Sequence, residues 1–144
     1  MKQLYITLIE LLKEIPAIKW ADLDMGQMQE EMPPVAFPCV LINIDLSKIE
    51  TIDFDLQHVQ ANFSITLHAK MLNETNANAP EKVRLQGLAY LDLVDKITAK
   101  LQGYSDAYFY EFERVSVQSQ NIRQGIQSTV LRFETSFRER IAKP

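Results

Sequence analysis

The stretch HVQANFSITLHA, residues 58–69, alternates apolar and polar side chains almost without a break. Val59, Ala61, Phe63, Ile65, Leu67 and Ala69 hold the odd positions; His58, Gln60, Asn62, Ser64, Thr66 and His68 hold the even ones. A period of two belongs to a β-strand, whose successive side chains point to opposite faces of a sheet. The pattern predicts a strand over about 57–70, far longer than the usual five or six residues. One face of that strand demands a covering layer. The other carries a row of small uncharged polar groups suited to bulk water, a solvent-filled lumen or a wet seam between subunits.

The rest of the chain supplies that layer. Residues 2–15 place Leu4, Leu8, Leu11, Leu12 and Ile15 on one stripe at helical spacing, and Pro16 ends the run. AIKWADLDMGQMQEEMPP has no clean period: Ile18, Trp20 and Leu23 suit a short strand, and the remainder reads as a loop closed by Pro33 and Pro34. FPCVLINIDL predicts a strand over about 39–46, and SKIETIDF a turn with a possible short strand. LNETNANAP is a polar loop. A helix then runs from a cap at Asn78, boxed by Glu81 with Pro80 in the first turn, to Gly103. Its stripe of Val83, Tyr90, Val94, Ile97 and Leu101 faces a core, while Leu85 and Leu88 lie on the opposite side, so the helix is expected to be buried twice over. YFYEFERVSVQS places Tyr108, Tyr110 and Phe112 on one strand face, then switches parity to Val115 and Val117, the mark of a β-bulge near Glu113–Arg114. QNIRQG turns the chain through Asn121 and Gly125 into a last long strand, with Leu131, Phe133 and Phe137 on one face and Arg132, Glu134, Arg138 and Arg140 on the other. The fold class is α+β: a mainly antiparallel mixed sheet of four to five strands covered by two helices, in the order α-β-β-(β)-α-β-β.

The 144 residues fit a single domain, 1–144, large enough to bury a core without staples. The single cysteine, Cys39, excludes an internal disulfide and fits a reducing compartment. The first 16 residues lack the pattern of a signal peptide, because Glu10, Lys13 and Glu14 interrupt the apolar run; no stretch is long and apolar enough for a membrane helix, and a soluble intracellular protein is expected. The net charge of −4 argues against a dedicated nucleic-acid binder. That charge is unevenly spread: residues 1–60 hold ten acids against four bases, net −6, and residues 61–144 are net +2. Such asymmetry suits two solvated faces, or head-to-tail packing against copies of the same chain.

Catalytic and metal patterns are weak. His58 and His68 share a strand face, but ten residues of strand separate them by roughly 33 Å, beyond the reach of one zinc ion. Asp22/Asp24 and Asp53/Asp55 form i, i+2 carboxylate pairs without a third ligand or an EF-hand spacing. Cys39 lies in an apolar strand that disfavours a thiolate, there is no G-x-S-x-G elbow, and four glycines at 26, 87, 103 and 125 make no phosphate loop. The aromatic cluster Tyr104, Tyr108, Phe109, Tyr110 and Phe112 is interleaved with Asp106, Glu111 and Glu113, which suits packing better than stacking on bases. No catalytic residue, cofactor or metal is expected. The long amphipathic strands, the two-sided helix and the split charge point to assembly rather than catalysis.

The helix LYITLIELLKEI, the irregular acidic loop after it, the proline-flanked strand PPVAFPCVLINI, the long polar-faced strand, the second helix and the closing hairpin together resemble the tail terminator proteins of long-tailed bacteriophages and the related small tail-completion proteins. The resemblance covers most of the chain and rests on element order and the FPCVLINI strand. It implies a small α/β sandwich that forms a ring, commonly of six copies, which caps the finished tail tube and docks to the head connector. It implies assembly in the bacterial cytoplasm and residence in the virion, with the partners being further copies, tail tube and head-connector proteins, and neither membrane nor sequence-specific nucleic acid. Under it, Leu85 and Leu88 bury against a neighbouring subunit, while Arg132, Arg138 and Arg140 meet the acidic 1–60 half of the next copy. Another head–tail joining protein, and a small enzyme with a carboxylate cleft, stand as alternatives.

Overall fold

The computed structural model describes residues 1–71 and 76–142; the expected loop at 72–80 therefore lies partly outside the described residues. In chain order the elements are α1 (Lys2–Lys13), β1 (Trp20–Leu23), a 3-10 turn (Gln27–Gln29), β2 (Cys39–Asp53), β3 (Leu56–Lys70), α2 (Glu81–Gly87), α3 (Ala89–Leu101), β4 (Glu113–Ser119) and β5 (Ile126–Arg140). The strands form one mixed sheet in the order β1-β2-β3-β5-β4. β1 runs parallel to β2, and every other neighbouring pair is antiparallel. This is the expected α+β architecture, with α1 and α3 over one face.

The period-two reading of β3 holds along its length. Val59, Ala61, Phe63, Ile65, Leu67 and Ala69 are all buried. Register carries the apolar face sideways, from Ile42 through Ile65 to Leu131 and from Ile44 through Phe63 to Phe133. Leu4, Leu8 and Leu12 of α1 and Leu93, Val94, Ile97 and Leu101 of α3 close over it in a single core. At its centre the Phe63 ring stacks on Phe133 at 5.2 Å and meets Phe112 edge-on at 5.0 Å. Such pairs add about 0.5–1.5 kcal/mol beyond their area burial.

Three local expectations in β2 and the second helix are corrected. The strand predicted to stop near residue 46 runs on to Asp53, because a bulge between Leu46 and Lys48 absorbs the break in alternation and Ser47 Oγ donates to the Gln60 carbonyl. The single helix predicted to Gly103 is two helices, broken at Leu88 just after Gly87. The Pro80 carbonyl accepts the first helical bond, from Arg84 N–H, so the helix begins later than a cap at Asn78. Gly103, at φ +77°, does end α3 in the left-handed conformation.

The strand predicted from Tyr108 begins only at Glu113. Before it, Asp106 Oδ1 accepts the backbone N–H groups of Tyr108 and Phe109, both at 2.7 Å, and folds the chain into a turn. Phe109 and Phe112 are buried, while Tyr108 and Tyr110 are exposed, so the three-on-one-face reading fails. The bulge expected near Glu113–Arg114 is present, between Arg114 and Ser116. The β4–β5 connection tightens at Gln124 and Gly125, both with positive φ, rather than at Asn121. Two successive positive φ values match the twist of a hairpin.

Candidate functional site

The sheet face away from the helices is built from the even positions of β3 and their lateral neighbours. Gln60 pairs in register with Lys48 and Ser136, Asn62 with Asp45 and Glu134, and Ser64 with Asn43 and Arg132. Across its middle lies an open trough of about 700 Å³ lined by Ser47, Gln60, Asn62, Tyr110, Glu113 and Glu134. The trough is polar and broad.

One end of the same face is sealed. Cys39, Leu41, His68 and Val130 are buried there, although they project away from the helices. The connection between β1 and β2 lies against this end: Asp24 accepts from Asn43 Nδ2 at 3.2 Å, and Met28, Gln29, Glu31 and Pro33 wall a cavity of about 560 Å³ with His68 and Ser128. His68 Nδ1 and Ser128 Oγ share a hydrogen bond of 2.7 Å. Burial pushes the His68 imidazole below its ordinary range, and the nearby Asp24 carboxylate only partly offsets that. Despite its place on the polar side of the alternation, His68 is thus a buried, hydrogen-bonded group. His58, ten positions along, is partly exposed and meets Tyr110 edge-on at 6.4 Å. Burial pushes the Cys39 thiol up to about 11, so it stays protonated near neutral pH.

The carboxylate pairs occupy opposite ends of β2. Asp22 Oδ1 accepts from Leu23 N–H and Asp24 Oδ1 from Gly26 N–H, both turn-forming roles. Asp53 Oδ1 accepts from Phe54 N–H at the β2–β3 turn, and Asp55 forms an ion pair with Arg140. With Leu23 beside Ile42 and Asp53 eleven residues further along, the pairs lie roughly 35 Å apart and share no cleft. Among the described residues, no group of three or more His, Cys, Asp or Glu side chains is placed to hold a metal ion. Among them, too, no helix is long and apolar enough to cross a membrane.

The residues named for subunit contact fall into two sets. Arg132, Arg138 and Arg140 share the bare face of β5; Arg132 donates to Gln118 Oε1 at 2.9 Å, and Arg140 is engaged by Asp55 of its own chain. Leu85 is 58% exposed on α2, and Leu88 is half-buried at the α2–α3 break. The broken helix removes the physical basis for one helix buried on two sides. What the sequence missed is lateral: exposed apolar side chains gather at both edges of the sheet, with Trp20, Leu23, Ile49 and Ile52 at one and Tyr108, Tyr110, Val115 and Val117 at the other. Edge position depends on strand order, which local periodicity does not encode. No family model and no curated protein matches the chain.

Proposed function

We propose that this protein is a structural subunit of a phage tail, a tail terminator-like component that forms a ring of copies, caps the tail tube and docks to the head connector. The observation that carries the reading is the combination of a bare polar sheet face with exposed apolar residues at both sheet edges. A monomer in water gains nothing from Val115, Val117, Ile49 and Ile52 at open edges, which are a hazard for uncontrolled association. A subunit designed to meet copies of itself uses them. The element order supports the same reading: a first helix, an irregular acidic connection, a strand that follows a cis Phe37–Pro38 peptide bond, a long polar-faced strand, helices and a closing hairpin. Arg132 and Arg138 give the bare face of β5 a positive character, and the negative 1–60 half of a neighbour complements it.

Negative-stain microscopy and light scattering of the purified chain, alone and with tail tubes, test this proposal. Ring-shaped particles seated at one tube end are the expected result. Leu85→Asp and Leu88→Asp should give folded monomers if α2 forms the seam; unchanged particles would move the seam elsewhere. Rings that bind a head connector but no tube would instead favour a head–tail joining protein. Divalent magnesium or calcium should leave the melting temperature unchanged, whereas a large rise would favour a carboxylate site and an enzyme.

A further inference from the structure

The apolar core of this sheet does not close at its sides. In the row Leu23–Ile42–Ile65–Leu131–Val117, the three central side chains are buried, while Leu23 is 38% and Val117 40% exposed. Lower in the sheet, Ile49, Val59, Phe137 and Phe109 form a second row. Val59 and Phe137 are buried, whereas Ile49 is 49% exposed at one edge. At the other, Tyr108, 40% exposed, stacks on Phe137 at 5.4 Å. The first row thus ends in half-exposed apolar side chains at the same height on the two opposite edges, whereas the second is open at Ile49 and closed by the buried Phe109.

From this we infer that the two edges of the sheet join copy to copy, the β4 edge of one chain against the β1–β2 edge of the next. The inference rests on the ring reading and names its seam. Strand sense fits: β1 and β2 run one way and β4 the other, so a neighbour rotated about an axis along the strands brings β4 antiparallel to β1. Among the described residues, no hydrogen bond covers the outer backbone of β4 from Val115 to Ser119, whereas Arg114 N–H is already taken by Gln102 Oε1. The free backbone gives an incoming strand its pairing groups, and the apolar row from Leu23 to Val117 fixes its height. The contact is heterologous, so repetition closes into a ring when the rotation closes. Repetition also keeps α1 and α3 on one side and the polar trough on the other.

The test is a double variant, Leu23→Cys with Val117→Cys. Within one chain these positions are four strand spacings apart, roughly 19 Å, far beyond disulfide reach. Mild oxidation should therefore give a ladder of covalent multimers on a non-reducing gel, lost on reduction, while each single variant gives none beyond a dimer. Val117→Lys and Ile49→Asp, both at exposed positions, should release monomers with an unchanged melting temperature. A double variant that assembles without a ladder, together with Val117→Lys particles of wild-type size, would overturn the edge contact and leave the ring standing with another seam. A wild-type chain that stays monomeric at all concentrations, with or without tail tubes, would overturn the ring reading itself.

Discussion

The two faces of the sheet are made from the same strands yet are finished differently. The face under α1 and α3 is continuous: the buried apolar side chains of β2, β3 and β5 join those of both helices in a single core. The opposite face is divided by height. Near Cys39, Leu41 and His68 it is sealed by the β1–β2 connection, and around Gln60 and Asn62 it is open. Alternation decides which way a side chain points. Coverage depends on what another part of the chain brings to that place. A polar residue on a strand is thus no guarantee of solvent, as His68 demonstrates, and an apolar one no guarantee of the helix layer, as Leu41 demonstrates.

Substitutions measure the contrast directly. The largest effect is expected at the centre of the covered face, where Phe63→Ala removes the ring between Phe133 and Phe112 and should lower unfolding free energy by about 3–5 kcal/mol in a urea titration. Leu41→Ala comes next, at about 2–5 kcal/mol, because the sealed end behaves as core. A cost below 1 kcal/mol would mean that the connection does not seal that end, and the two faces would then differ along their whole length. Asp106→Asn should cost about 1 kcal/mol. Burial raises this carboxyl, but the N–H groups of Phe109 and Tyr108 and the Tyr104 hydroxyl outweigh it, so its net position is below the ordinary range. The stability it contributes is present above about pH 4 and fades as pH falls further. Acid unfolding of Asp106→Asn should therefore be shallower than that of the wild type.

His68 probes the sealed end by pH. Its folded-state pKa is lowered, so below about pH 6.5 the unfolded chain takes up a proton that the folded chain refuses. Stability should decline as pH falls from 7 through that window, and His68→Asn should flatten the decline in melting temperature. If His68→Asn leaves the decline unchanged, that end of the face is not sealed in the way its burial indicates. The smallest effect belongs to the open trough: Asn62→Ala should change stability by no more than about 0.5 kcal/mol. A larger loss measured in the assembled state alone would place Asn62 in a contact between copies.

The sequence by itself determined the elements whose signal is local. The period of two in β3 and the period near 3.6 in α1 each reflect a single face meeting a single layer; the apolar positions of β3 and Leu4, Leu8 and Leu12 of α1 are buried as those periods select, with Thr7 and His68 buried in addition. Gly103 marked the end of α3 because only a left-handed residue fits there. The sequence also placed Arg132, Arg138 and Arg140 together on one side of β5. Tertiary structure decided the rest. The extension of β2 to Asp53 needed β3 as a partner across a bulge, and the turn at Asp106 overrode a run of β-forming aromatics through hydrogen bonds with no periodic trace. The helix break at Leu88 separated Leu85 from the α3 stripe. Above all, the order β1-β2-β3-β5-β4 chose which strands became edges, and so left Leu23 and Val117 at the two ends of one row. Strand order is set by pairing between residues far apart in the chain, and that is why the candidate seam was invisible until the sheet was assembled.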